Sequence, residues 1–269
     1  MAACCSAGDD PPVRAMRHGP SLGWPWLPVA AAWAVAVIAA LTGQRYLIDH
    51  HFLLEASGLS WPVAALVFLA CWQVMIVAMM VPASMSTFTL LIGATRAQSG
   101  ALKAGGAFYA GYAAMWTGFA LLAFAGDTAV HHAVDASPWL EAHAFLIGAT
   151  TLAGAGAYQF SSMKRRCLTA CHNPGALFAR SYRVGSGPAW RVGARHGLAS
   201  VGCCWGLMLI MFGLGVGGLG WMAALTGAMV IEESFPRYGW TRFALGSALL
   251  LLALLWLAHP AWLVPAGVS

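Results

Sequence analysis

The chain has 269 residues, of which 60% are hydrophobic and 9% charged, with a mean hydropathy of +0.71. Soluble domains carry about 25% charged residues, so this composition excludes a water-exposed globule and describes a polytopic membrane protein. Lysine and arginine outnumber acidic residues 14 to 9, but the excess sits between apolar segments, which implies a lipid bilayer and not a nucleic acid as partner.

Residues 1–24 carry Cys4, Cys5, Asp9, Asp10, Arg14 and Arg17 without an apolar run or the layout of a cleavable signal, and read as a disordered cytoplasmic tail. From 25 to 260 the chain reads as an all-α transmembrane helix bundle, followed by a short tail at 261–269. About seven spans are expected, given that a bilayer core needs about 20 largely apolar residues. They run from Trp26 to Leu47, Pro62 to Pro82 with an apolar extension to Thr95, Lys103 to Ala125, Trp139 to Phe160, His196 to Leu214, Gly218 to Ile231, and Phe243 to Ala258. The glycine-rich stretch Gly213 to Gly220 reads as a tight turn between the fifth and sixth. An alternating path with the N-terminus inside leaves Arg45 as the one basic residue of 14 on the outer side, which gives an N-in, C-out orientation.

The second segment places Cys71, Met75 and Met79 at i, i+4 and i+8 on one stripe, ending at Pro82; thioethers in that arrangement suit a soft monovalent ion. The third loop, with Asp127, His131, His132, Asp135, Glu141 and His143, has the composition of a metal-capturing rim but reads as a solvated polar loop. The interval Ser161 to Arg195 reads as a long loop within the bundle, of a length that is usually functional or disordered, and it holds seven basic residues and Cys167-Leu168-Thr169-Ala170-Cys171-His172. On a continued helix the two thiols share a face, within reach of one ion or of each other, and basic neighbours raise their thiolate fraction.

The fifth segment contains the densest set of soft donors, Gly202-Cys203-Cys204-Trp205-Gly206-Leu207-Met208, in a stretch without charge from Gly197 to Ile231. At about 100° per residue, Cys204, Met208 and Met211 share one face, and His196, Ser200 and Cys203 the adjacent one. Neighbouring Cα atoms stand about 3.8 Å apart, below the roughly 4.4 Å of ordinary disulfides, so the vicinal pair points to metal binding or to a bridge with another cysteine. Glu232 and Glu233 close the sixth segment, where an acid at the membrane boundary is a functional candidate unless Arg237 or Arg242 pairs with it. No nucleotide loop, nucleophile elbow, zincin helix or haem motif occurs.

Three sets of residues resemble the bacterial DUF2182 family of metal-binding integral membrane proteins: Trp72 with Met75, Met79, Met80 and Pro82; Tyr158-Gln159 with Lys164, Cys167-Leu168, Cys171 and Pro174; and Gly202-Cys203-Cys204-Trp205 with Met208, Trp221-Met222 and Glu232. They span a core at about 62–239 of the chain. The chain departs from the family pattern at Ser161-Ser162-Met163, at His172, and at Glu233, where the family carries a lysine. The resemblance implies copper supply to secreted or membrane copper enzymes at a bacterial inner membrane.

Thiolates and thioethers select Cu(I), while thiolates with imidazole equally suit zinc. The expected ligands are Cys203, Cys204, Met208, Met75 and Met79, with Cys167 and Cys171 receiving or releasing the ion and His172 and Glu232 as further candidates. The function expected is a Cu(I) chaperone, transporter or assembly factor without catalysis of its own, whose partners are a copper-dependent enzyme or a small soluble metal-binding protein. A membrane thiol-disulfide oxidoreductase and a membrane scaffold are the alternatives.

Overall fold

In the computed structural model, residues 26–42, 60–95, 100–181, 185–213, 219–234 and 239–259 are described. The expected tails at 1–24 and 261–269, the vicinal Cys4 and Cys5, and the middle of the glycine-rich turn at 214–218 lie outside them. The described elements are twelve α-helices and one π-helical turn, in agreement with the all-α expectation. They are α1 (Leu27–Leu41), α2 (Trp61–Met75), the π turn (Ile76–Met80), α3 (Val81–Ala83), α4 (Met85–Thr95), α5 (Ala101–Asp135), α6 (Pro138–Ala142), α7 (Phe145–Gln159), α8 (Ser162–His172), α9 (Pro174–Ser181), α10 (Ser186–Gly213), α11 (Leu219–Ser234) and α12 (Thr241–Ala258). Among the described residues, four stretches are long and apolar enough to cross a membrane, Ala65–Ala83, Ala101–Asp135, Ser186–Met211 and Thr241–Ala258, where about seven spans were expected; α1 and α4 are apolar but shorter.

Two intervals expected as loops are helical. α5 does not stop near Ala125 but continues to Asp135, because the first strong break in the sequence is Ser137-Pro138. Ser137 is extended and its hydroxyl accepts from the Leu140 amide at 3.5 Å, which starts α6. At 1.5 Å per residue α5 is about 52 Å long against a hydrocarbon core of roughly 30 Å, so its polar last turns have the length to project beyond one. The interval Ser161 to Arg195 folds as α8, α9 and the first turns of α10. The Ser161 hydroxyl accepts from the Lys164 amide at 3.1 Å and caps α8, and Asn173, restricted by the proline that follows it, ends the helix. Gly185, at φ +124°, turns the chain into α10.

The tightest pairing is between α5 and α10, whose main chains meet at glycines. A Cβ on Gly193 would overlap the Phe108 carbonyl, one on Gly111 the Trp190 carbonyl, and one on Gly197 the backbone of Tyr112. Small residues at such crossings are how helices in apolar surroundings gain packing. α7 and α12 meet in the same way through Gly156 and Gly246.

The π turn has an identifiable cause. Pro82 has no amide hydrogen and its ring crowds the carbonyl four residues back, that of Ala78. The freed Ala78 carbonyl accepts the Trp33 indole N–H from α1 at 3.0 Å, so a helix-breaking residue ties two helices together. The turn also disturbs the expected thioether stripe, since one wider turn shifts the register between Met75 and Met79. Met79 and Met80 are fully buried, whereas Met75 is half-buried.

Replacing Gly193 by Ala is expected to cost about 1–3 kcal/mol, because the added methyl meets backbone that cannot rotate away. Thermal unfolding of the detergent-solubilised protein measures it, and an unchanged Tm would count against this packing.

Candidate metal centre

Three helices converge on one buried polar cluster. α10 supplies Ser200, Cys203 and Cys204; α8 supplies Cys171; and α11 supplies Glu233. All five residues are buried. α8 approaches because α10 carries glycine at 202: a Cβ there would clash with the Cys167 sulfur. Tyr158 of α7 donates its hydroxyl to the Gly202 carbonyl and sets its ring against Trp205, with centroids 4.8 Å apart.

The Cys171 and Cys203 sulfurs stand 4.0 Å apart, and those of Cys203 and Cys204 3.4 Å apart. One oxygen of Glu233 accepts from Cys203 at 2.8 Å, from Cys204 at 3.2 Å and from the Ser200 hydroxyl at 3.2 Å. Among the described residues, Cys171, Cys203 and Glu233 form a group whose ligand atoms all lie within 4.8 Å of one another, the spacing a single ion requires. The carboxylate does the work that water does elsewhere: it takes the hydrogen bonds of two thiols and a hydroxyl that have no solvent.

Polar contacts extend away from the cluster on both sides. Ser200 also contacts the Tyr112 hydroxyl at 3.2 Å, which reaches Ser84 at 3.1 Å. On the other side, Lys164 of α8 is wholly buried and its ammonium donates to Glu232 at 2.6 Å. Burial opposes the ammonium, yet the Glu232 carboxylate outweighs it and holds the Lys164 pKa above the ordinary lysine value. For Cys171 the hydrogen bond with Cys203 favours the thiolate, but burial and the charge of Glu233 together push its pKa up to about 11.

The candidates read from sequence divide accordingly. Cys203, Cys204 and Cys171 come together, and Met208, fully buried one turn beyond Cys204, belongs with Met75 and Met79 to the same hydrophobic core. Cys167 is half-buried against Gly202, because only one inward stripe of α8, Lys164, Leu168 and Cys171, is buried. His172 bonds through Nε2 to the backbone carbonyl of Glu232 at 2.7 Å, and the Glu232 carboxylate is engaged by Lys164. From the sequence, Glu233 was a functional candidate at the membrane boundary but not an expected ligand, and Lys164 figured only in the resembling motif. The signal for Lys164 was its spacing from Cys171, i and i+7 on one helix face, which places its partner beside that of the thiol. His196, also buried, stacks on Tyr112 and Phe108 with centroids 5.7 and 6.3 Å away.

In the metal-free protein, alkylation of Cys171 is expected to accelerate about tenfold per pH unit from pH 7 to 10, since only the thiolate reacts and the pKa lies above that range. Peptide-resolved mass spectrometry reads the rate; a plateau below pH 9 would contradict the burial of this thiol.

The profile of the copper-chaperone family PpoB2 matches residues 69–256, which contain every residue of the cluster. No curated protein and no solved structure matches the chain.

Proposed function

We propose that this chain, which belongs to the PpoB2 copper-chaperone family, is a multi-pass protein of a bacterial inner membrane that holds Cu(I) as cargo between Cys171, Cys203 and Cys204 and yields it to a copper enzyme. The observation that carries the reading is the buried thiol cluster. Sulfurs that share an ion at bonds of about 2.3 Å can stand no more than about 4.6 Å apart, and Cys203 meets that limit with Cys171 at 4.0 Å and with Cys204 at 3.4 Å; Cys204 stands outside the group that Cys171, Cys203 and Glu233 form within 4.8 Å, so it has to shift toward Cys171 to share the same ion. Ionised thiolates in apolar surroundings need a compensating cation, and a soft monovalent ion supplies it while matching sulfur. Glu233, already bonded to Cys203 and Cys204, orients the pair and is available as an oxygen donor. Met208 is the nearest thioether along α10.

Zinc is the competing cargo, and it favours a closed tetrahedral set of thiolate and imidazole. The imidazole adjacent in sequence, His172, is occupied by the Glu232 carbonyl, and thioether-rich walls add nothing for zinc. The 4.0 Å approach of Cys171 to Cys203 also suits a thiol-disulfide exchange reading. A third thiol and a carboxylate on the same pair favour a ligand set, because exchange requires access that this burial denies.

Elemental analysis of protein purified with copper under reducing conditions tests the proposal. Wild type is expected to hold near-stoichiometric copper. Cys203→Ser, Cys204→Ser and Cys171→Ser should each lose most of it, since hydroxyl is a poor donor to a soft ion. Met208→Leu should weaken retention modestly, and Met16→Leu should change nothing. Equal copper throughout would refute the site, zinc would keep the ligands and change the cargo, and a Cys171 to Cys203 disulfide trapped in cells without metal would favour exchange.

For topology, the reading takes seven spans with the N-terminus and the α8–α9 segment in the cytoplasm and Ser269 on the opposite side. It rests on the placement of the basic residues. Reporters fused after Ser269 should be active only outside the cytoplasm; cytoplasmic activity would overturn the orientation.

A further inference from the structure

We propose that Glu232 is a positioning residue rather than a ligand: it latches α8 to α11 and so sets whether Cys171 joins the thiol pair of α10. What the latch controls, Cu(I) exchange, rests on the function proposed above; the latch itself does not.

α8 has 11 residues, fewer than the roughly 12–15 that hold a helix on its own in water, so its place depends on what it touches. On its outer side Met163, Arg165, Arg166 and Thr169 are exposed. Its inner stripe is Lys164, Leu168 and Cys171, and two polar ties flank it. Lys164 Nζ donates to the Glu232 carboxylate, and His172 Nε2 meets the Glu232 main-chain carbonyl. Both ties end on one residue, they stand eight positions apart on α8, and Cys167 and Cys171 lie between them. The ammonium at 2.6 Å also argues against Glu232 as a metal ligand, since a second cation on that carboxylate would be repelled.

The division of the cluster follows. Cys203 and Cys204 sit on a 28-residue helix locked to α5 by glycine contacts, while Cys171 sits on the short helix. Release of α8 removes one sulfur from the ion and leaves two, together with Glu233, on the bundle. A two-sulfur Cu(I) opened on one side can be taken by an incoming thiolate or thioether of an acceptor protein.

The test uses the full-length protein in detergent with no other substitutions. Glu232→Gln removes the charge of the latch but leaves a buried lysine without its partner, so Lys164→Met with Glu232→Gln is made beside it to remove both charges. Lys164→Arg, which keeps the pair, serves as the rescue variant. In metal-free protein, peptide-resolved alkylation of Cys171 should rise at least tenfold in the double variant and stay near wild type in Lys164→Arg, with Cys203 and Cys204 unchanged in all. In copper-loaded protein, X-ray absorption should show one sulfur fewer around Cu(I) in the double variant, and a soluble Cu(I) chelator should strip the ion at least tenfold faster. Unchanged Cys171 labelling in the folded double variant would overturn the latch. Copper-free wild type with accelerated labelling in that variant would support the latch and refute the Cu(I) reading.

Discussion

The carboxylate of Glu233 is the group on which the arrangement of the site depends. A buried carboxylate is costly in apolar surroundings unless donors surround it, and the donors it has are Cys203, Cys204 and Ser200. The relation runs in both directions. Without the acid, two vicinal thiols on one helix would point to slightly different faces with no reason to converge. Without the thiols, the buried Glu233 carboxylate at the end of α11 would keep Ser200 alone of these three donors. One oxygen atom of α11 therefore holds three side chains of α10 in place, α8 joins through the contact of Cys171 with Cys203, and the convergence of the sulfurs follows from satisfying these hydrogen bonds.

The neighbouring acid solves the same problem differently. Adjacent residues of a helix point about 100° apart, so Glu232 and Glu233 cannot share a partner set: one faces the thiols of α10, the other the ammonium of α8. Lys164 thereby supplies a positive charge close to the cluster without occupying it. A buried ion pair of this kind contributes little net stability compared with apolar packing, yet breaking it is strongly unfavourable. Its value here lies in specificity, because one relative placement of α8 and α11 satisfies it.

The helical class, the approximate positions of the apolar segments and the thiols of α10 were legible in the sequence because each rests on local pattern: composition, apolar length and the 3.6-residue period. The inward face of α8 was misread: the sequence reading set Cys167 and Cys171 on one face, whereas the buried stripe is Lys164, Leu168 and Cys171, with Cys167 half-buried beside it. What could not be read was which helix each face meets. Arg237 and Arg242 looked like the nearest partners for Glu232 along the chain; Arg237 lies outside the described residues, and among those described the ion-pair partner is Lys164, 68 positions away. The segment boundaries failed for a related reason. Arg191 and Arg195 look like loop residues by charge, but α10 begins before them because its glycines pack on α5. The Cys71, Met75 and Met79 stripe assumed an unbroken helical period, and the π turn caused by Pro82 interrupts it.

That π turn shows how the fold distributes its irregularities. A proline inside a membrane-length helix frees a carbonyl that must find a donor, and the donor is Trp33 of a different helix. The strict local rule is broken where a tertiary bond repairs it, and the same turn delivers Met79 and Met80 together into the core beneath the polar cluster. The Met80 carbonyl accepts from the Tyr112 hydroxyl at 3.4 Å, and that hydroxyl contacts Ser200, which donates to Glu233. The irregular turn and the thiol site are thus connected by a run of polar contacts through the Tyr112 hydroxyl of α5. A change in the pitch of the π turn would move Tyr112, and through Ser200 the carboxylate that orients both thiols. The proline kink and the vicinal cysteines, more than a hundred residues apart in sequence, are parts of one structural unit.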